Sequence, residues 1–361
     1  MKIQRIVLKN FKNFKNQAEV ELSDYNVFVG KNGSGKSNVA KAVFEAVYSP
    51  DFQNVKLQSF YGDHSVQSSI EISVLFESPD VERFRKSQFY ANISSRNLSA
   101  FKRSGFTINR RVGTGDYEFS MAEFGSIGGS GGSVNIKSES SNSPDMKSVF
   151  LQLISQVQHS VVMIPDNRDL PASFIFEHEF HSNPVGIKNF TTYLMDIKLN
   201  KRAQYEKMVG LYKRLVPDIT DFNINPVGNS ISLTEAWDEF QILAPEISKG
   251  TREILTLVAM LVLSRDGSSV FIEEPEIHLH PFAIKELSRI IKELASEKKL
   301  QVTIITHNPV FFRDLEPELN KEVRVYMFER STTGESKIRS VKTDRDFEKA
   351  VFDLELGNGK E

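Results

Sequence analysis

Residues 30–37 read Gly30-Lys31-Asn32-Gly33-Ser34-Gly35-Lys36-Ser37 and fit the pattern GxxxxGK[ST]. At average residue usage, chance supplies such a match in a chain of this length about one time in a hundred. The flanks strengthen it. Val27-Phe28-Val29 is a short apolar run of the kind buried on both faces of a sheet, and it stops at Gly30. From Lys36 to Tyr48, Val39, Ala42, Val43, Ala46 and Val47 recur at helical spacing. Strand, glycine-rich turn and helix, in that order, are the context in which the pattern holds phosphate. Glycines let consecutive backbone N–H groups converge on phosphate oxygens, and the helix N-terminus adds positive potential. Lys36 would then bridge the β- and γ-phosphates of a nucleotide, and the Ser37 hydroxyl would bind Mg²⁺. The competing reading, a glycine-rich corner with no ligand, does not account for the lysine and hydroxyl at the helix start.

Three later segments bear on the same chemistry. Val270-Phe271-Ile272-Glu273-Glu274 delivers two acids at the end of an apolar strand, where open α/β sheets bind ligands. Glu273 is placed to hold the Mg²⁺ shell and Glu274 to orient and polarise an attacking water. On its own the pair also reads as a surface acidic turn. Thr306-His307-Asn308 ends the next apolar strand, and His307 is either structural or close to the γ-phosphate. Ile247-Ser248-Lys249-Gly250-Thr251 precedes an apolar helix from Thr251 to Leu263. Ser248 reads as a helix cap or, with Gly250, as a second anion-binding device. His278 and His280 suggest a metal pair, but no cysteine or third obvious ligand accompanies them. A structural or dimer-contact role fits them better.

The composition, 40% hydrophobic and 25% charged over 361 residues, suits two domains or one with an insertion and excludes wholesale disorder. With 45 basic and 47 acidic residues the net charge is −2, which does not support a uniformly basic nucleic-acid coat. The absence of cysteine excludes disulfides, thiolate zinc sites and cysteine nucleophiles. No apolar run approaches the roughly 18 residues of a membrane span. The opening MKIQRIVLKNFKNF lacks the apolar core of a signal peptide. The expectation is a soluble cytoplasmic protein with no membrane partner.

Charge is unevenly spread. Between residues 83 and 111 lie Arg83, Arg85, Lys86, Arg96, Lys102, Arg103, Arg110 and Arg111 with no acid, interleaved with Phe84, Phe89, Tyr90, Phe101 and Phe106. Such a segment either binds a nucleic-acid backbone and stacks on bases or forms a small insertion with solvated charges. The Gly/Ser-rich stretch from Gly125 to Ser143 follows and reads as a flexible linker or mobile loop. The expected division is an N-terminal lobe at 1–76, an inserted segment at 77–159 and a C-terminal lobe at 160–361. The periodicity predicts strands at Ser69–Phe76, Val161–Ile164, Val302–Thr306, Val323–Phe328 and Lys337–Val341. It predicts helices over Phe190–Val216, Phe282–Leu294 and Asp344–Leu354, and a hairpin turning at Gly228-Asn229.

The phosphate loop, ISKGT, FIEEPEIHLHP and TIITHNP occur in the order found in ABC-type ATPase heads. More narrowly, these motifs and the opening IQRIVLKNFKNFKN resemble the SMC/RecF/OLD-like branch. The match covers roughly residues 1–50 and 160–330, without a long coiled coil. The resemblance implies an α/β P-loop NTPase head with an antiparallel β subdomain and an inserted subdomain. It implies ATP and Mg²⁺ sandwiched between two copies of the chain. Gly30, Asn32, Gly33, Ser34, Gly35, Lys36, Ser37 and Asn38 would hold one nucleotide, and Ser248 and Gly250 would serve the other. Lys12 and Asn13 fall where such heads touch the nucleotide. Ser37 and Glu273 would serve the metal, Glu274 would be the catalytic base and His307 the switch histidine. The sequence departs from the general pattern in four places. Glu273 replaces an Asp, ISKGT is a degenerate LSGGQ, and His280 stands where the Asp after the acids is usual. No clear glutamine marks the metal loop, where Ile164-Pro165-Asp166-Asn167-Arg168 lies, with Gln156 and Gln158 nearby. Three roles follow: the ATPase component of a bacterial defence or toxin-type system with a separate effector, a RecF-like DNA-repair ATPase, and a transporter nucleotide-binding subunit. The N-terminal strand and EEPEIHLHP disfavour the last.

Overall fold

The computed structural model describes residues 1–48, 68–76, 106–113, 116–121, 125–130, 133–137, 153, 155–166, 174–175, 190–227, 230–236, 241–243, 248–308, 311 and 323–357. The chain forms two compact units. Unit 1 comprises Met1–Met163, Gly267–Phe271 and Leu300–Glu361, and unit 2 comprises Ile164–Asp266 and Ile272–Lys299. Residues 77–159 therefore fall inside unit 1, and residues 160–361 are shared between both units, because the chain returns late to the sheet it began.

That sheet has six strands in the order β17-β16-β3-β15-β14-β9. They are β3 (Tyr25–Gly30), β9 (Val161–Ile164), β14 (Ser269–Glu273), β15 (Gln301–Thr306), β16 (Val323–Arg330) and β17 (Ser336–Val341). β3 pairs in parallel with both β15 and β16, while β17 returns antiparallel to β16. All residues of β3, β14 and β15 are buried, which is why these segments read as unbroken apolar runs. Two buried amides interrupt them and are satisfied. Asn26 Nδ2 donates to the Ser23 and Val302 carbonyls, and its Oδ1 accepts from the Ser23 N–H. Gln301 Oε1 accepts from the Ile3 N–H at 2.8 Å and Ser269 Oγ at 2.7 Å, while its Nε2 donates to the Ile3 and Ser23 carbonyls.

A second, seven-stranded sheet is antiparallel throughout, in the order β2-β1-β4-β5-β6-β7-β8. Its strands are β1 (Lys2–Lys9), β2 (Ala18–Glu21), β4 (Ser69–Phe76), β5 (Phe106–Gly113), β6 (Asp116–Met121), β7 (Gly125–Ser130) and β8 (Ser133–Lys137). The alternation in β1 and β4 buries Ile3, Ile6 and Leu8 with Ile70, Ile72 and Val74. Helix α1 (Lys36–Tyr48) adds Val39, Val43, Ala46 and Val47 to that cluster, which also contains Phe28 of β3. One core thus joins the phosphate-loop helix to both sheets.

The Gly/Ser-rich stretch corrects the composition-based expectation of a linker. Residues 125–130 and 133–137 continue the sheet as β7 and β8; the rest of that stretch lies outside the described residues. Ladder hydrogen bonds come from the backbone, which glycine supplies as well as any residue. Ile127 stands in register with Phe119 on one side and Ile136 on the other. Of the basic segment, residues 83–105 lie outside the described residues and Phe106–Arg111 belongs to β5. Arg111 stands in register between Glu71 and Glu118.

Unit 2 contains α2 (Phe190–Asn200), α3 (Arg202–Leu215), α4 (Lys249–Leu263) and α5 (Pro281–Lys298). Its small sheet orders β10 (Phe174–Ile175), β12 (Ser230–Ala236) and β11 (Asp221–Val227), with β13 (Gln241–Leu243) also on β12. The turn residues Gly228 and Asn229 lie outside the described residues, although the hairpin register is set on either side of them. α4 is buried all round from Glu253 to Val262. α5 is amphipathic, with Ile284, Leu287, Ile291 and Leu294 inward. On its outer edge Arg214 of α3 reaches Glu286 at 2.7 Å and Glu293 at 2.7 Å. Tyr205 of α3 donates to the Phe222 carbonyl, and burial pushes its hydroxyl up to about 12. α6 (Asp344–Gly357) ends the chain's described part in unit 1.

Candidate nucleotide-binding site

The phosphate loop leaves β3 at Gly30 and enters α1 at Lys36. Gly35 has φ +103°, and a Cβ there would lie 2.3 Å from Asn13 Nδ2. Only glycine permits both the backbone turn and that approach. The Lys36 side chain is buried and folds back across the loop, donating from Nζ to the Gly30 carbonyl at 2.6 Å and the Lys31 carbonyl at 3.1 Å. The ammonium therefore already occupies the hollow of the loop. Ser34 Oγ is a buried polar atom with no hydrogen-bond partner, an orphan within the same turn. Asn32 and Gly33 are exposed, and Ser37 is half-buried in the first turn of α1. A hollow lined by a lysine, an orphaned hydroxyl and a helix N-terminus fits a polyphosphate.

The loop is held from outside by three polar side chains. Asn13 Nδ2 donates to Ser336 Oγ, and Asn38 Nδ2 donates to Asn13 Oδ1 at 2.6 Å. Ser336 Oγ donates in turn to the Ser34 carbonyl at 2.6 Å, and the Ser336 N–H donates to the Asn13 carbonyl at 2.8 Å. Asn13 lies in a tight turn closed by reciprocal backbone bonds between Phe11 and Phe14, with Lys12 at φ +51°. Lys12 Nζ lies 3.8 Å from Glu45 on α1 and over the Phe11 ring. In this turn the Asn13 amide braces the loop, and the Lys12 ammonium stands beside α1. Ser336 carries no sequence signal for this role, since it lies 302 positions from Ser34. Gln158 Nε2 donates to the Val47 carbonyl at the end of α1, Gln156 is half-buried, and Asn167 and Arg168 lie outside the described residues.

His307 follows β15 in unit 1 and is half-buried; the neighbouring Asn308 N–H donates to Thr306 Oγ1 at 2.9 Å. The acids belong to unit 2. Glu273 ends β14 and is buried. Glu274 follows at φ +42°, a left-handed backbone uncommon outside glycine and frequent at functional sites. The turn after it is closed by Ile277 N–H to the Glu274 carbonyl and Leu279 N–H to the Glu276 carbonyl. His280 caps α5, accepting at Nδ1 from the Phe282 N–H.

The other element of unit 2 with expected site residues is the start of α4. Ser248 is its N-cap, with Oγ accepting from the Thr251 N–H at 3.2 Å. Both readings of Ser248 draw on this geometry, because a cap and an anion site use the same helix terminus. A Cβ on Gly250 would lie 2.6 Å from the His278 carbonyl oxygen. The glycine is therefore needed for close packing of the loop after the acids. Ile247 lies outside the described residues.

The family model described as "AAA domain, putative AbiEii toxin, Type IV TA system" matches residues 25–313, most of the chain. The chain belongs to this AAA-domain family. Members are P-loop ATPases of the SMC/OLD/AbiEii-like type. Among curated relatives, the AAA-domain chain is 20% identical over 333 residues to an "OLD nuclease" of Thermus scotoductus, covering 86% of this chain and 59% of the relative. It is 28% identical over 128 residues to "Structural maintenance of chromosomes protein 3" of Saccharomyces cerevisiae, covering 32% of this chain and 10% of that protein. The AAA-domain chain thus spans about three-fifths of the first relative and a tenth of the second. Its fold is that of SMC heads. The structure titled "Crystal structure of the SmcHead bound to the C-winged helix domain of ScpA" superposes with TM-score 0.58 at 14% identity, covering 96% and 99% of the two chains. An Smc head derived from Pyrococcus furiosus, bound to the C-terminal domain of ScpA, gives 0.53 at 14% identity and covers 99% of each chain. Among the described residues no helix is long and apolar enough to cross a membrane.

Proposed function

We propose that the chain binds ATP at residues 30–38 and hydrolyses it, cycling between separated heads and a head-to-head dimer. In this reading it is the ATPase component of a defence or toxin-type system acting through a separate effector. The observation that carries the reading is Lys36 Nζ folded over the loop carbonyls at 2.6 and 3.1 Å, within a loop closed by Gly35. Polyphosphate oxygens are better partners for that ammonium than neutral carbonyls, so binding exchanges the internal bonds for charge-assisted ones. Ser37 and Glu273 offer the hard oxygens that Mg²⁺ takes. The ion, when bound, neutralises charge on the transferring phosphoryl group.

Glu274 acts as the base. Its carboxylate accepts a proton from water as the water oxygen bonds to the γ-phosphorus and the bond to the β-phosphate oxygen breaks. His307 reports the γ-phosphate, and Ser248 and Gly250 contribute the N-terminus of α4 to the partner copy's nucleotide. The toxin-type role is supported by the description of the family and by the OLD-nuclease relative. A nucleic-acid contact through residues 83–111 stays part of the proposal.

Steady-state ATP hydrolysis, with and without double-stranded DNA and with Glu274→Gln as control, tests the reading. Turnover that disappears in the variant supports it, and unchanged turnover in Glu274→Gln removes the assigned base. Stimulation by DNA that fades with salt would identify DNA as an input. Turnover indifferent to DNA would direct the search to a protein partner.

A further inference from the structure

We infer that the Glu253–His278 pair couples the two nucleotide sites of the head dimer, locking the Ser248–Gly250 turn to the loop that carries Glu274. The inference rests on the dimeric reading above, in which the turn serves the partner copy's nucleotide and Glu274 serves this copy's own.

Glu253 sits in the second turn of α4, 1% exposed, and the nine residues after it are all buried. A carboxylate in such surroundings is stable only while it keeps its donors. Its Oε2 accepts from His278 Nδ1 at 3.0 Å. A carboxylate offers no hydrogen, so Nδ1 carries the proton. Its Oε1 is buried without a hydrogen-bond partner, and Lys249 Nζ stands 3.7 Å from it. One imidazole N–H therefore supplies the hydrogen bond to this buried charge, and it comes from a different segment of the chain.

That segment is the loop after the acid pair. His278 lies four residues beyond Glu274 and, like it, has a left-handed backbone, at φ +61°. The backbone bonds from Ile277 to Glu274 and from Leu279 to Glu276 make residues 274–279 one compact turn. Its His278 carbonyl comes so near the first turn of α4 that Gly250 has no room for a side chain. Sliding the turn along α4 would break the imidazole bond and strand Glu253, and would drive backbone against backbone at Gly250. The two segments therefore move together. A change at Glu274 on hydrolysis must then shift the α4 terminus, and the shift is felt at the partner copy's nucleotide. By linkage the reverse holds equally.

The test is the dependence of hydrolysis on ATP concentration in the full chain, read as a Hill coefficient, alongside thermal melting. The wild type should show a coefficient above 1, bounded by about 2 for two sites. His278→Ala should bring it to about 1 and lower the melting temperature by stranding the Glu253 carboxylate, and Glu253→Leu should bring it to about 1 with little loss of melting temperature, since only a half-exposed imidazole is left unpaired. In the double variant Glu253→Leu/His278→Ala no buried charge remains, so stability should recover while the coefficient stays at 1. A purely structural pair would regain both together. His278→Asn keeps a donor near the Nδ1 position and tolerates the left-handed backbone, and should retain cooperativity. A double variant with the wild-type coefficient, or a loss in His278→Asn equal to that in His278→Ala, overturns the inference. So does a wild-type coefficient of 1 in a protein whose Glu274→Gln form dimerises with ATP on sedimentation. A Glu274→Gln protein that stays monomeric with ATP marks the failure of the dimeric reading instead.

Discussion

The phosphate loop and the start of α4 are both helix N-termini suited to an anion, yet they are held in different ways. The loop is braced by neutral groups: Asn13, Asn38 and Ser336 share four hydrogen bonds with one another and with the Ser34 carbonyl. The α4 terminus is held by one buried carboxylate hydrogen-bonded to one half-exposed imidazole. A buried carboxylate is costly in any arrangement that takes away its donor, whereas amides and hydroxyls carry no charge to strand. In the proposed coupling the loop is the fixed seat and the α4 turn the part that moves with its neighbour.

The largest effect expected is in Glu274→Gln, where loss of a general base lowers turnover about 1,000-fold with ATP affinity kept, as measured by single-turnover hydrolysis and nucleotide titration. Lys36→Ala comes next. It should weaken ATP binding about 100-fold, ~3 kcal/mol, by removing the charge-assisted bonds at the seat; fluorescent-nucleotide titration checks this. Asn13→Ala should raise KM for ATP about 10-fold with little change in kcat, because it strands Asn38 and Ser336 and loosens the loop. Ser248→Ala should cost about 1 kcal/mol of stability for the lost cap and lower kcat more than it raises KM, since it affects only the closed dimer. If Asn13→Ala lowers kcat and Ser248→Ala raises KM, the contrast between seat and moving part is reversed.

The half of the site that could be read from the sequence is the half made by local pattern. The run into Gly30, the helical spacing after Lys36, and the acids after Ile272 each lie within a few residues, so periodicity and motif suffice. The bracing could not be read that way. Ser336 reaches the loop from the far end of the chain, and Gln301 joins β1, β14 and β15 through one amide. Glu253 did carry a signal, a lone acid at the head of an apolar helix stretch, which a search for buried charge would have found. The strands β7 and β8 were hidden because glycine and serine lower intrinsic strand preference, while the ladder to β6 is made by the backbone.

Acid offers the gentlest way to sharpen the comparison. The side chains that brace the phosphate loop from outside are amides and hydroxyls, which do not titrate. In unit 2 the α3–α5 contact includes carboxylates, and the Arg214 guanidinium hydrogen-bonded to Glu293 holds that carboxyl below its usual value of 4.5. A carboxylate with a depressed folded pKa stabilises the fold fully above its unfolded value, and that contribution is lost as pH falls through the folded one. Protection of α3 and α5 amides against hydrogen exchange, corrected for intrinsic rates, should therefore decline as pH drops below about 4.5. The Ser34 and Asn38 amides, bonded to the Lys31 and Gly35 carbonyls, should keep theirs over the same range. Both groups are partly exposed, so the effect is modest and should shrink further in about 1 M salt, where the screening length is near 3 Å. Arg214→Gln leaves Glu293 with an ordinary carboxyl, and the decline in α5 should flatten. Equal declines in the variant and the wild type would mean that the Arg214–Glu293 pair contributes nothing to holding α3 against α5.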